Sequence, residues 1–351
     1  MSFDARRGAS PLGLTAMKKV GETVRWGVLA PGRIAWALAA DLAVLPDAEL
    51  VATGSRDVDR ATVFAAEFGG AAYGSYAELV ADPAVDIVYV ASPHTLHDEH
   101  ARLAIEAGKA VLCEKPMTLD GDTTAALFAE AEARGTFLME AMWMVCHPGI
   151  RTLLRLLASG EFGTPRQVHA DLGFVVDPAP GGRLLDPRLG GGALLDMGVY
   201  TLTFAHLVLG EPEQLVATAG LSPAGIDLDV SIAGRYPGGA TAALTASLTS
   251  QSPRTATVAT EKGHFALPFG FHQPSRLQWV SSPTGEHDPE STWIELDEPV
   301  VGRGYAHEVL EVHRCLRAGA LTSDLVPPAQ TISVMRQMDD VRAQIGVEYA
   351  G

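Results

Sequence analysis

Ala110-Val111-Leu112-Cys113-Glu114-Lys115-Pro116 decides how this chain is read. Four apolar residues make a short buried strand, and proline, with no N–H for a ladder, ends it. Lys115 is left at a strand's carboxyl end, the edge where open α/β sheets bind ligands. One lysine after one strand is more often solvated than catalytic, so the strands around it carry the argument.

Upstream, Asp86–Ala91 is a second apolar run that stops at Ser92-Pro93-His94, with His97 and His100 beyond. Histidines at steps of three could hold a metal, but no carboxylate pattern accompanies them. Neutral histidines beside a cofactor, and no metal, are the expectation. The first strand, Val24–Leu29, runs into Ala30-Pro31-Gly32-Arg33-Ile34-Ala35 and then a helix to about Leu45. This is the G-x-G-x-x-A dinucleotide fingerprint with alanine in the first place. Gly32 admits a pyrophosphate, Ala35 allows close helix–strand packing, and the helix N-terminus offers N–H groups to the anion. The next strand, Glu49–Gly54, ends in Ser55-Arg56, where an NAD-binding chain places an acid for the ribose 2′-OH. A hydroxyl and two guanidinium groups, Arg56 and Arg60, suit a 2′-phosphate instead, so NADP is expected over NAD.

Tyr73–Asp82 reads as a strand and a helix, 98–107 and 120–134 as helices, and Thr136–Glu140 as a strand leading to Trp143. Each strand from Val24 to Met139 ends in polar or special residues. Right-handed crossovers bring those ends to one edge of a parallel sheet. The expected organisation is a mobile leader (1–22), a Rossmann doubly wound domain (23–143) and a second domain (144–351).

Beyond Met144 the pattern changes to alternating strands at 166–176, 215–222, 228–236, 240–250, 255–260, 264–267, 276–280 and 293–296, with closing helices near 304–318 and 328–345. This is an α+β domain on an open, mostly antiparallel sheet. Ala240, Ala242, Ala246 and Ser247 predict a face flat enough to pack on a twin sheet. Gly190-Gly191-Gly192 opens a helix, Ala193–Leu209, whose Asp196 and Tyr200 lie four apart on one face. The glycines suit close approach of a ligand or of another backbone.

The balance of 26 basic against 42 acidic residues, a net −16, argues against nucleic acid or an anionic membrane as partner. No apolar run is expected to span a membrane, and residues 1–22 lack the apolar core of a signal peptide. Cys113, Cys146 and Cys315 are too few and unpatterned for a disulfide frame, so a cytoplasmic setting is expected.

Ala30–Ala35, Glu114-Lys115-Pro116 and Gly191–Tyr200 together resemble the glucose-fructose oxidoreductase/inositol dehydrogenase (Gfo/Idh/MocA) family. Residues 72–79, 107–117 and 137–143 are similar to its dimeric dihydrodiol dehydrogenase and NADP-dependent D-xylose dehydrogenase branch. The resemblance implies a homodimer and hydride transfer from a sugar or diol hydroxyl to NADP. It implies Tyr200 as the acid/base residue, phosphate binding by Arg56 and Arg60 and a cofactor-side His97. A sugar–sugar oxidoreductase that retains NADP, or a silent NADP-binding regulator, are the rival readings.

The candidate catalytic residues are therefore Lys115, Tyr200 and Asp196. The Lys115 ammonium and the helix N-terminus are expected to lower the Tyr200 pKa, with Asp196 orienting Lys115 or the substrate. Ala30, Pro31, Gly32, Arg33, Ile34, Ser55, Arg56, Arg60, Ser92, His94, His97, Glu114, Lys115 and Trp143 are candidates for the cofactor. Trp143, Phe174, His94 and Tyr200 are candidates for the substrate.

Overall fold

Strands that carry continuous apolar runs should be buried on both faces. In the computed structural model, which describes residues 21–177, 182–282 and 288–349, they are. β1 (Val24–Leu29) leads through α1 (Arg33–Leu42) to β2 (Ala48–Gly54), then α2 (Val58–Phe68), β3 (Ala71–Tyr73) and α3 (Tyr76–Ala81). β4 (Ile87–Val90), α4 (His97–Glu106), β5 (Ala110–Glu114), α5 (Gly121–Ala133) and β6 (Leu138–Ala141) follow. β4, β5 and β6 have every residue buried. All six strands are parallel, in the order β3-β2-β1-β4-β5-β6. The order reverses between β1 and β4, the crevice where such sheets take ligands.

After α6 (Trp143–Cys146) and α7 (Pro148–Ala158) comes the second sheet. It holds β7 (Pro165–Gly173) and, beyond α8 (Val199–Leu209), β8 (Gln214–Leu221), β9 (Asp227–Arg235) and β10 (Thr241–Ser247). β11 (Ala256–Thr260), β12 (Gly263–Leu267), β13 (Leu277–Ser281) and β14 (Ser291–Ile294) complete it. The order is β14-β13-β12-β11-β7-β10-β9-β8, and every pair is antiparallel except β7 with β10. α8 and α10 (Pro328–Ile345) cover one face.

That face corrects one expectation. Ala240, Ala242 and Ala246 point inward and are buried, together with Ile232 and Leu244, while Ser247, of the opposite parity, is buried at the end of its strand. The open face carries the other parity: Ser231, Ala233, Thr241, Ala243 and Thr245, beside His169 and Val216. It too is flat, because its own residues are small.

The stretch Pro187–Leu209 is long and apolar enough to match a membrane span, contrary to the reading of the sequence, but it is 78% buried inside the chain and is a core element. Of the expected leader 1–22, residues 1–20 lie outside the described residues, and the carbonyl of Glu22 accepts from Arg317. The last two helices bind both halves together. Asp41 on α1 accepts from the amides of Arg303 and Ala306 and so caps α9 (Ala306–Ala318). Asp339 on α10 accepts from the amide of Gly121 at the start of α5.

Ala30, at the first fingerprint position, has φ +67°. It adopts the left-handed conformation for which glycine is the usual choice. Its amide donates to Gly54 O and its carbonyl accepts from Gly32 N at 2.8 Å, which fixes the turn. A Cβ in that region costs roughly 1–2 kcal/mol, while glycine loses about 0.4–1 kcal/mol through unfolded-chain entropy. Ala30→Gly should therefore leave stability unchanged or raise it by up to about 1.5 kcal/mol in denaturant titration. A clear loss would show that the Ala30 methyl packs too well for its strain to matter.

Candidate active site

The turn after β5 is held from beneath by buried polar groups. Glu114 accepts from Tyr89 Oη and from the amide of Lys115. Its pKa is raised by burial, against the pull of Lys115. Lys115-Pro116 is a cis peptide. His97 lies below it, with Nδ1 2.8 Å from Pro116 O and Nε2 2.9 Å from Ser92 O. The ring lies between these two main-chain carbonyls and, as a neutral imidazole, donates to one of them, so His97 packs the end of β4 against the Lys115 turn. Glu140 accepts from the amide of Met117 and from Thr331 Oγ1 of α10.

Above this base Lys115 reaches the second half of the chain. Its Nζ donates to Asp196 O at 2.8 Å and to Asp196 Oδ1 at 3.2 Å. Arg183 donates to the same Oδ1 at 2.9 Å, and its other amino group lies 3.1 Å from His94 Nε2. His94 Nδ1 meets Gly190 O at 2.9 Å and so carries the proton, which leaves Nε2 to accept. Burial, then Arg183, push the His94 pKa well down, so the ring is neutral. Asp196 is held well below the usual carboxylate range, because Lys115 first and Arg183 second outweigh its burial.

Asp196 and Tyr200 were read as neighbours on an ordinary helix. The structure has instead a π-helical stretch, Leu194–Gly198, running into α8. Such one-turn insertions are frequent at functional sites. Here Asp196 meets Lys115, Arg183 and His94, while the Tyr200 hydroxyl meets Trp143 Nε1 at 2.7 Å. The Lys115 ammonium lies 4.8 Å from the centroid of the Tyr200 ring, on its face. The expectation that Lys115 lowers the phenol's pKa is not met: burial pushes it well above 10, with Tyr305 and Glu114 adding to the shift. The three glycines before the π stretch are taken up by the chain itself; at Gly192, φ +138°, a Cβ would collide with Asp227 Oδ1, and Asp227 accepts the amide of Leu194.

Residues that would hold a dinucleotide gather at the same edge. Nothing lies closer than 4.0 Å to a Cβ built on Gly32, so the chain's own packing does not require that glycine. The N-terminus of α1 has neither a capping side chain nor an acid in its first turn. At the strand ends, Thr53 Oγ1 and Ser92 Oγ are buried without a hydrogen-bond partner. Ser55 Oγ accepts from the amide of Asp57, and Arg56 and Arg60 stand exposed beyond β2, Arg60 Nε 3.5 Å from Asp57 Oδ2. These features fit an anionic dinucleotide laid over Ala30–Ile34 with its adenosine end near Arg56.

Phe174 is half-buried past the end of β7, its amide donating to Ser247 O; no ring contact joins it to Trp143 or Tyr200 among the described residues. Three residues at the site were not read from sequence. Arg183 pairs with Asp196, Tyr305 packs 4.6 Å from Trp143, and His272 lies 5.4 Å from Tyr200 and 5.5 Å from Trp143. Tyr305 and His272 sit in turns and Arg183 opens a single 3-10 turn, Arg183–Leu185, segments too short for hydrophobic periodicity. Of the cluster Arg183–Asp196–Lys115, Lys115 and Asp196 were legible in the sequence and Arg183 was not. Among the described residues no group of three His, Cys, Asp or Glu side chains could hold a metal.

Residues 24–142 match the model of the oxidoreductase family with an NAD-binding Rossmann fold, and residues 150–266 match the GFO/IDH/MocA C-terminal domain. The chain belongs to the Gfo/Idh/MocA oxidoreductase family. The trans-1,2-dihydrobenzene-1,2-diol dehydrogenase of Mus musculus is 35% identical, over 93% of this chain and 98% of its own. KijD10, a 3-ketoreductase from Actinomadura kijaniata solved with NADP and TDP-benzene, superposes with TM-score 0.82 at 28% identity, over 92% and 98%. An aldose-aldose oxidoreductase from Caulobacter crescentus shares the fold, with TM-score 0.81 at 22% identity over 92% and 97%.

Burial lowers the His97 pKa to about 4. A depressed histidine contributes stability that is present above its unfolded pKa near 6.5 and lost as pH falls toward 4, up to about 3 kcal/mol by linkage. The Tm of the protein should fall over that window. His97→Gln, which keeps a donor for one carbonyl, should flatten the slope; an unchanged slope would show that other groups set it.

Proposed function

We propose that this chain is an NADP-dependent dehydrogenase that exchanges a hydride between a sugar or diol hydroxyl and nicotinamide. The observation that carries the proposal is the meeting of Lys115, Asp196 and Tyr200 at the carboxyl edge of the first sheet, beside the fingerprint turn. The similarity to a dihydrobenzene-diol dehydrogenase and to a 3-ketoreductase solved with NADP supports it. Ala30–Ile34, Ser92 and the β5 turn would hold the dinucleotide, with Ser55, Arg56 and Arg60 at a 2′-phosphate. The nicotinamide supplies the hydride acceptor or donor.

The chain's own residues handle the proton. Tyr200, buried and kept as a phenol, gives its proton to a carbonyl oxygen in reduction and recovers it from a hydroxyl in oxidation. Lys115, fixed by Asp196, donates to the same substrate oxygen or to its neighbour. Arg183 and neutral His94 fix Asp196 in turn. Trp143, Tyr305 and His272 line the cleft with flat rings that suit the C–H face of a sugar or an unsaturated ring.

An absorbance assay at 340 nm with NADP and a panel of aldoses, polyols and diols tests this directly. Tyr200→Phe should lower turnover by about 10²- to 10⁴-fold with NADP affinity unchanged. Arg56→Ala should weaken NADP by about 10- to 100-fold, as expected for a lost charged hydrogen bond, and NAD hardly at all. Turnover retained in Tyr200→Phe, or equal weakening of both cofactors, would sink the corresponding assignment.

The open face of the second sheet is proposed as the surface of a homodimer. Its small side chains, Ala233, Ala243 and Thr245 among them, leave room for a twin sheet to approach. Light scattering at micromolar concentration should give twice the chain mass, and Ala243→Arg should halve it.

A further inference from the structure

The Tyr200 hydroxyl has one hydrogen-bond partner among the described residues, and it is an indole. Trp143 Nε1–H donates to Tyr200 Oη at 2.7 Å, and the two side chains are only 5% and 7% exposed. An indole nitrogen donates and never accepts. The direction of the bond is therefore fixed: the phenol oxygen accepts, and its own proton must point to another partner.

A hydrogen bond to a neutral phenol is modest, whereas one to a phenolate is charge-assisted and roughly twice as strong. The Trp143 bond thus strengthens as the Tyr200 proton leaves, which is when a donor helps an acid/base group most. We propose that Trp143 is a positioning residue that stabilises the deprotonated state of Tyr200 through its indole N–H. Lys115 acts instead on the Tyr200 ring face and on Asp196. The proposal rests on the reading of Tyr200 as the acid/base group.

In oxidation the substrate O–H bond breaks and its proton forms the Tyr200 Oη–H bond. The electron pair left on the substrate oxygen becomes the carbonyl π bond as the hydride departs to the dinucleotide. Before that step Tyr200 is a phenolate accepting from Trp143; after it, a phenol accepting more weakly.

The surroundings of both rings favour this assignment. Trp143 is packed against Tyr305 at 4.6 Å, with His272 edge-on at 5.5 Å and His147 at 6.4 Å. At Gly304 a Cβ would stand 3.3 Å from Trp143 Cζ3, so the main chain itself closes on the indole. The groups facing Tyr200 come from every neighbouring element: Glu114 and Lys115 at the β5 turn, Asp196 on the π stretch, His272 after β12 and Tyr305 before α9. Tyr305, Glu114 and Asp196 all disfavour a phenolate, and the Trp143 bond works against them. His272 contributes no charge near neutrality, since burial holds its pKa at about 3.

Trp143→Phe keeps an aromatic ring and removes the N–H. Its kcat/KM for oxidation at pH 7 should fall by about 10- to 100-fold. The alkaline rise of the profile should move upward, so that the deficit stays constant on the acid side of the wild-type rise and shrinks only beyond it; NADP affinity should stay within about twofold. Placed on Tyr200→Phe, the same change should add less than about twofold, since it acts through Tyr200. An alkaline rise left at its wild-type pH, or a full further loss in the Tyr200→Phe background, would overturn the proposal. If Tyr200→Phe alone keeps its turnover, the acid/base reading fails, and the proposal with it. A readout free of turnover uses cofactor-free protein with ¹⁵N-labelled indoles. Of its five tryptophan Nε1–H signals, the one lost in Trp143→Phe should shift in Tyr200→Phe. Should Trp143→Phe not fold, Trp143→His takes its place in that assignment. A Trp143 signal that does not move in Tyr200→Phe would show the bond absent in solution and end the proposal.

Discussion

The contact on which the site depends is the reach of Lys115 to Asp196, 81 residues apart in the chain and both almost fully buried. Burying an ion pair costs desolvation of both partners, and the pair persists only when further hydrogen bonds complete it. Here the completion is visible. Lys115 also donates to the main-chain carbonyl of Asp196, and Arg183 supplies a second cation to the carboxylate oxygen Oδ1 that Lys115 meets. Removing either member would leave a buried charge without compensation, which typically costs about 3–5 kcal/mol. The pair therefore locks the carboxyl edge of the first sheet to the π-helical stretch of the second half, and Trp143 with Tyr200 forms a parallel, uncharged link.

Lys115 can reach that far because the turn beneath it is rigid. Three buried polar side chains, Glu114, His97 and Glu140, take up the polar groups of residues 115–117, and each is itself held by a partner. The partner of Glu140 is Thr331 on α10, so the chain's last helix supports a turn made more than two hundred residues earlier. Burial raises the Glu140 pKa to about 7, a cost accepted in the interior for satisfying the Met117 amide. Polar groups placed this way rigidify only when all of them are satisfied. That condition explains why a short strand stop can be a precise anchor for Lys115.

The first sheet was legible because strands buried on both faces must be apolar throughout, and their carboxyl ends stand out by contrast. The second sheet was legible as alternation, but not in which face points in. Ala240, Ala242 and Ala246 looked like a flat outer surface, yet Leu244 and Leu248 share their parity and are buried with them. A slip of one residue exchanges the faces, and the large apolar residues decide which face is buried. The π turn was not legible, because it is a change of hydrogen-bond register with no signature in composition. Arg183, His272 and Tyr305 were missed for a related reason: each lies in a turn or a single 3-10 turn, and only the folded chain brings it to Tyr200, Trp143 or Asp196.

The distribution of charge follows from the same edge. The chain carries a net −16, which would repel a polyanionic dinucleotide if charge acted as a sum. It does not, because at physiological ionic strength exposed charges more than about 8 Å apart are largely screened. What an approaching phosphate meets is the local arrangement: an uncapped helix N-terminus at Arg33 and exposed guanidinium groups at Arg56 and Arg60. Deeper in the cleft, Lys115 and Arg183 are already committed to Asp196, so the ion pair removes from competition the two cations that would otherwise hold a phosphate in the wrong place. On the proposed reading, these groups at the edge of the first sheet direct the anion to the fingerprint turn and leave the Tyr200 end of the cleft to a neutral substrate.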